Sequence, residues 1–242
     1  MNGGGVIKMS DIMRVIQSRA SSRMPFDMGR PVPAHDLEQI LEAGRWAPTA
    51  HNMQNFEIVV VDDPAVLAAL GRVSSPVSME FVRENYAQLS FSEAELRQKK
   101  VGILATRFPP AWRSPAATAT EIAAATRPLP VSPTMLFLTY NPGRRAPASE
   151  GDFLGAISLG CVTENMWLMA SSLGIGFHIV SSFGARGVES EVKRILAVPE
   201  PLRIVFAIRL GYPAGVAGSD LRVRREPRDF THRNRFGRCD PA

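Results

Sequence analysis

The segment Asp152–Leu173 constrains the fold of this chain more than any other stretch. Ala156, Leu159, Gly160, Thr163, Asn165, Met166, Met169 and Ala170 place small and large apolar groups nearly all round a helix. A helix that is apolar on most faces needs cover on most faces, so it belongs in a large core or at an interface between copies. Leu173-Gly174-Ile175-Gly176 supplies a glycine-rich stop after it. A chain of 242 residues is long enough to bury such a helix in one sizeable core or two small ones.

Shorter elements alternate around that helix. Ile7–Ile16 reads as an amphipathic helix with capping chemistry at Ser10-Asp11. Pro33–Trp46 is a second helix: Pro33 suits its start, Asp36 and Glu38 suit its first turn, and Pro48 ends it. Phe56–Val61 reads as a buried strand before the Asp62-Asp63-Pro64 turn, and Pro64–Leu70 opens another helix. Met79–Tyr86 and Glu93–Ala105 look helical, Met135–Tyr140 and Phe177–Val180 look like strands, and Glu189–Leu196 is a short helix. Arg203–Leu210 is a strong strand closed by Gly211-Tyr212-Pro213. Strands are too few for a doubly wound parallel sheet. The pattern predicts an α+β fold, one central, mostly antiparallel sheet flanked by helices. No linker splits the chain, so residues 1–242 read as one domain. Val73–Pro133 is its least regular part and reads as a variable insertion or lid.

Composition excludes more than it identifies. No apolar stretch reads as long enough to span a bilayer, since Phe153–Phe183 is interrupted by Gly, Ser, Thr, Glu and Asn. Met1–Ser10 lacks the basic start and apolar core of a secretory signal. Cys161 and Cys239 give neither a disulfide framework nor metal spacing, so a cytoplasmic protein without membrane contact is expected. The formal charge of +5 admits a nucleic-acid binder. Its arginines, however, gather in the tail Arg222–Arg238 and are not interleaved with aromatics along a stripe, so no nucleic-acid partner is expected.

Two segments carry chemistry. Arg19-Ala20-Ser21-Ser22-Arg23 offers two guanidinium forks and two hydroxyls, which match phosphate oxygens. Ala47-Pro48-Thr49-Ala50-His51-Asn52-Met53-Gln54 offers amide groups to a planar heterocycle. Together they point to a phosphate-bearing cofactor. No Walker loop, dinucleotide-binding glycine fingerprint, metalloprotease helix or serine-hydrolase elbow is present. His35, His51, His178 and His232 are scattered singly and read as surface or satisfied histidines.

The order of these pieces resembles the FMN-dependent nitroreductase family. Arg19-Ala20-Ser21-Ser22-Arg23 is similar to the family's FMN-binding start. Ala47–Gln54 resembles its Ala-Pro-Ser-x-x-Asn-x-Gln, and Asn165 followed by Leu173–Gly176 resembles its Asn…Leu-Gly-Leu-Gly. Gly211-Tyr212-Pro213 and Arg224-Arg225-Glu226-Pro227 resemble its closing motifs. The resemblance implies an intertwined homodimer with FMN at the interface. It implies that Arg19 and Ser21 bind the phosphate and ribityl end with Arg225 and Arg224, and that Arg23 lies near the flavin pyrimidine. Pro48, Thr49, Ala50 and Asn52 would come from the partner subunit, and Ser181 and Ser182 would face the central ring. The implied activity takes a hydride from NADH or NADPH and reduces a small electron-poor acceptor (nitroaromatic, quinone or activated alkene) in ping-pong turns. A flavin-dependent dehydrogenase or oxidase of a biosynthetic intermediate, and a non-catalytic FMN-binding protein, are the alternatives. Asn55-Phe56 replaces the usual Pro-Trp or Pro-Tyr, and Ser181-Ser182 replaces an acidic-Gly pair; both bear on substrate scope.

Overall fold

The computed structural model describes residues 9–75, 77–125, 128–215 and 221–237. Residues 1–8 and Cys239 lie outside the described residues. In chain order the elements are α1 (Met9–Ser18), α2 (Ala34–Arg45), β1 (Glu57–Val61), α3 (Pro64–Gly71), α4 (Met79–Val82), β2 (Ser90–Phe91) and α5 (Glu93–Lys99). There follow β3 (Ile103–Leu104), α6 (Ala119–Ala125), β4 (Thr134–Tyr140), α7 (Phe153–Ser172), β5 (Gly176–Val180), α8 (Arg186–Leu196) and β6 (Arg203–Gly211). The described residues of 1–75 and 127–217 form one compact unit, and those of 76–126 and 218–242 form a second.

The first unit is built on a four-stranded sheet of order β1-β4-β6-β5, antiparallel throughout. β4 is buried along its length up to Tyr140, which explains its unbroken apolar run. One face of the sheet carries Leu136, Leu138, Phe177 and Ile208 against Ile40 of α2 and Val162 and Met166 of α7. The other carries Met135, Phe137 and Ala207 against Leu67 and Leu70 of α3 and Val188 and Val192 of α8. The expected α+β architecture is therefore present, with helices on both faces. Gly44 lets α2 approach α7 closely, because a Cβ there would stand 2.9 Å from Met166 Cγ.

α7 corrects the membrane reading of the sequence. Residues Glu150–Ser172 form a stretch of 23 residues with hydropathy 1.3, long and apolar enough by those measures to cross a membrane. Its Gly, Ser and Thr interruptions are too weakly polar to lower the average. Within this chain the helix is covered only in part. Leu159, Val162, Thr163, Met166 and Ala170 are buried, whereas Phe153 (67% exposed) and Ile157 (47% exposed) lie open within the chain. Cys161 on the same helix is only partly covered.

α8 is pinned to β6 by a charged clamp. Glu189, 6% exposed, accepts from Arg203 Nε at 2.7 Å, from Arg203 Nη2 at 2.6 Å and from the Ile204 amide at 2.9 Å. The Arg203 hydrogen bonds and then the Ile204 amide, outweighing burial, hold this carboxyl below the usual carboxylate range. The charged form is thus favoured by folding. Its stabilisation is complete above the ordinary glutamate value of 4.5 and is lost as acid protonates the folded-state carboxylate. Glu189→Gln is expected to lower the thermal midpoint at neutral pH and to flatten its decline below pH 4.5. Equal acid limbs for parent and variant in pH-resolved thermal melts would contradict this.

In the second unit α4 continues as one π-helical turn over Arg83–Ala87. The helix expected over Glu93–Ala105 stops at Lys99. Lys100 at φ 55° and Gly102 at φ 94° turn the chain, and Ile103–Leu104 pairs with Ser90–Phe91 as two short parallel strands. At Gly102 a Cβ would stand 2.6 Å from the Leu89 carbonyl oxygen, so only glycine fits. Ala119–Ala125 forms α6, whose Ile122 packs with Val82 and Ala117. Tyr86 fills the space beside Phe108 and Trp112, at centroid distances of 4.4 and 4.8 Å, so these aromatics form a packed core.

Candidate functional site

The strap that follows α1 runs along the edge strand β5. Ser21 bridges Phe177, and the Ser22 amide donates to the Phe177 carbonyl at 2.9 Å. The strap is then laced to the end of β6: the Asp27 amide donates to Tyr212 O, the Ala214 amide to Pro25 O, and Phe26 bridges Pro213. Gly176 permits this close lie, since a Cβ there would stand 2.7 Å from the Phe26 ring and 2.9 Å from Ser22 Oγ. Arg19 is largely covered, with its side chain 18% exposed. Its guanidinium lies 4.4 Å from the centroid of the Trp167 ring, and its Nε is 3.7 Å from Glu164. Trp167 in turn donates to the Ala20 carbonyl at 3.2 Å. α7 thus fixes the root of the strap, and β5 and β6 fix its length.

Ser181 and Ser182 open the helical turn Ser181–Gly184 directly after β5. They therefore lie at one end of the strand along which the strap runs. Arg19, Ser21, Arg23, Ser181 and Ser182 are in this way all tied to β5 or its flanks.

The Pro48–Asn52 segment is placed elsewhere. The Ala50 amide donates to Ser158 Oγ of α7 at 2.9 Å. Ser158 precedes Trp167 by nine residues on one helix, about 13 Å along its axis. The chain therefore holds its strap and its Thr49–Ala50 loop at different levels of α7. The loop is strained: His51, Asn52 and Gln54 all have φ near +50°. The Gln54 amide donates to Thr49 Oγ1 at 3.2 Å, and Gln54 Nε2 donates to Asn52 Oδ1 at 3.2 Å. Asn55 braces the far side through Asn141 O and Arg144 O, both at 2.9 Å. A left-handed run held from both sides presents its backbone in one fixed shape.

Arg224 and Arg225 belong to the second unit. There Arg224 donates to the Val223 carbonyl at 2.7 Å, while Arg225 donates to the Asp229 carbonyl and lies 5.6 Å from the Phe230 ring centroid.

One residue escaped the sequence reading, and it meets His178, which was read as a surface or satisfied histidine. Arg209 of β6, 3% exposed, faces the α3–α8 side of the sheet at its strap end. It donates to Val131 O at 3.2 Å and Met24 O at 3.3 Å and lies over the Phe26 ring at 4.5 Å. Its Nη1 stands 3.2 Å from His178 Nδ1 on the neighbouring strand. Burial first, then Arg209 and Arg23, push His178 down to about 4, so it is neutral at pH 7. As Arg209 can only donate, His178 Nδ1 accepts, and the ring proton is on Nε2. Burial likewise lowers Arg209 to about 10, which leaves it charged. The signal for Arg209 was present: a lone arginine interrupts an otherwise apolar strand, Ile204–Leu210.

Residues 16–212 match the sequence profile of the nitroreductase family, and the chain belongs to that family. It is 22% identical over 228 residues to an NADPH-dependent oxidoreductase of Staphylococcus epidermidis, covering 94% of this chain and 75% of that protein. Among solved structures it is similar to nitroreductase A from Vibrio parahaemolyticus, with a TM-score of 0.59, 19% identity and coverage of 95% of this chain and 78% of that one. It is also similar to an FMN-bound nitroreductase from Bacteroides fragilis, with a TM-score of 0.54, 22% identity and coverage of 88% and 95%. At these identities the structural likeness establishes the fold.

Proposed function

We propose that the protein is an FMN-dependent NAD(P)H oxidoreductase, active as a cytoplasmic homodimer, that reduces an electron-poor small molecule. The observation that carries the reading is the strap. Within five residues it presents Arg19, Ser21 and Arg23 along β5, beside Ser181, and Arg209 lies beneath it. Among the described residues no carboxylate forms an ion pair with Arg209, and Arg19 Nε lies 3.7 Å from the exposed Glu164. This set of fork-shaped cationic donors and hydroxyls fits a phosphate-bearing anionic cofactor. When bound, the flavin supplies the redox chemistry, taking hydride from NADH or NADPH and passing electrons to a nitroaromatic, quinone or activated alkene in alternating turns. Arg19 and Ser21 bind its phosphate and ribityl end, Arg23 offers positive charge to its pyrimidine, and Ser181 and Ser182 line its central ring. The relative from Staphylococcus epidermidis is NADPH-dependent by name, and the Bacteroides fragilis neighbour holds FMN. Both support the reading.

The dimer completes the site. Phe153, Ala156, Ile157 and Gly160 form an exposed apolar stripe on α7, and Gly160 has open space where a Cβ would stand. Small residues on such a stripe let a second helix approach closely. A second copy docked there covers the stripe and supplies its Pro48, Thr49, Ala50 and Asn52 to the strap, from which they stand apart within one protomer. In this reading 1–242 is one family domain and 73–133 its variable segment.

The test is an absorbance spectrum of the purified protein, followed by anaerobic NADH and then NADPH. A flavin band that bleaches is expected, and the faster donor is the physiological one. A flavin that does not bleach favours the dehydrogenase or the non-catalytic binding protein. No flavin after incubation with FMN defeats the proposal.

A further inference from the structure

The loop of residues 48–55 holds a costly shape with little packing behind it. His51, Asn52 and Gln54 are left-handed, with φ of 51°, 52° and 46°, in a region that favours glycine. None of residues 48–55 is buried. Hydrogen bonds, not core packing, therefore hold the loop. Some of them are internal: the Asn52 amide donates to Thr49 O, the Met53 amide to Ala50 O and the Gln54 amide to Thr49 Oγ1. These close the loop on itself and do not fix it to the sheet.

Among the described residues, two side chains tie the loop to the rest of its unit. Ser158 of α7 accepts from the Ala50 amide. Asn55 makes the other tie with both ends of its side-chain amide. Its Nδ2 donates to the main-chain carbonyls of Asn141 and Arg144, both at 2.9 Å, and its Oδ1 accepts from the Asn141 amide at 3.2 Å. The turn that it grips is already closed, because the Arg144 amide donates to Asn141 O and the Gly143 amide to Asn141 Oδ1. That turn directly follows β4, a buried inner strand of the sheet. Asn55 thus passes the rigidity of β4 to the loop. A cleft of about 130 Å³ opens beside this clasp, lined in part by Gln54, Glu57, Tyr140 and Arg144. Removing the Asn55 amide therefore leaves no hole in the core.

We propose that Asn55 is a positioning residue that locks the loop of residues 49–52 in its cofactor-binding shape before FMN arrives, an inference that rests on the function proposed above. A loop locked beforehand loses little freedom when the flavin binds, and the saved ordering shows as affinity. A side chain that only filled space would leave both the loop and the affinity unchanged.

The experiment compares the full chain with Asn55→Ala and Asn55→Asp. Amide hydrogen exchange of the flavin-free proteins reads the loop, and FMN fluorescence titration at pH 8 and pH 5 reads the affinity. In Asn55→Ala the amides of Asn52, Met53 and Gln54 are expected to exchange about tenfold faster while those of β4 stay at parent rates. FMN binds this variant about tenfold more weakly at both pH values, since several hydrogen bonds are lost. In Asn55→Asp an ionised carboxylate faces two carbonyl oxygens and cannot form the clasp. Once protonated, it donates to one carbonyl and accepts from the Asn141 amide. Its deficit relative to parent is therefore expected to shrink about threefold from pH 8 to pH 5. Glu57, Tyr140 and Arg144, the titratable groups lining the cleft, are common to all three proteins, and so is the flavin phosphate, so the ratio to parent isolates residue 55. Parent-like exchange in Asn55→Ala overturns the inference, as does a deficit in Asn55→Asp that does not change with pH. If Asn55→Ala does not fold, the pH dependence of Asn55→Asp decides alone. Parent protein that takes up no FMN defeats the proposed function and this inference together. Parent protein that binds FMN beside variants that match it defeats this inference alone.

Discussion

Ile157→Glu is expected to yield a well-folded monomer that purifies without flavin. Ile157 is 47% exposed within the chain, so a polar group there costs the single protomer little. In a dimer closed over the α7 stripe the same carboxylate is buried without a partner. Burying an unpaired carboxylate costs several kcal/mol, and two copies face one interface, so dimer dissociation should strengthen by at least about a hundredfold. Light scattering after size exclusion reads the mass, and the flavin-to-protein absorbance ratio reads the cofactor. Circular dichroism should match the parent. A variant that remains dimeric with full flavin places the interface elsewhere. A monomer that keeps its flavin shows that the Pro48–Asn52 loop of a second copy is not needed.

Arg19→Ala carries the second large effect. Charge-assisted hydrogen bonds to a phosphate contribute about 1.5–3 kcal/mol, which corresponds to roughly 10- to 150-fold weaker FMN binding. The side chain is 18% exposed and held over Trp167, so little ordering remains to be done when the anion arrives. Arg19→Lys should fall between parent and alanine, because an ammonium retains the charge and loses the fork. Fluorescence titration of flavin-free protein checks both. Unchanged affinity in Arg19→Ala would remove the phosphate from this strap.

Much of the first unit was legible because its elements are local. Pro33 starts α2 and Pro48 follows its end, and β4 and β6 are apolar runs bounded by turns, so their ends fell within a residue or two of expectation. The second unit was less so. Nothing local in Glu93–Ala105 announces that Lys100 adopts φ 55° and turns the chain, because the reward is the pairing of Ile103–Leu104 with Ser90–Phe91. For α7 the sequence left two alternatives open: its composition demands cover, but composition does not say whether this chain or another copy provides it.

The donor types of the candidate site, Arg19, Ser21 and Arg23 in one strap and amides in one loop, were determined by sequence, since they follow from residue chemistry at short spacing. So were the antiparallel α+β class and the long apolar helix at its centre. Only the tertiary structure decided that the strap lies on β5, that the Thr49–Ala50 loop meets α7 about two and a half turns away, and that Arg209 meets His178 across two strands. Those relations join residues up to 185 positions apart, as from Met24 to Arg209. Sheet pairing and core packing set them, and no local pattern in the chain encodes them.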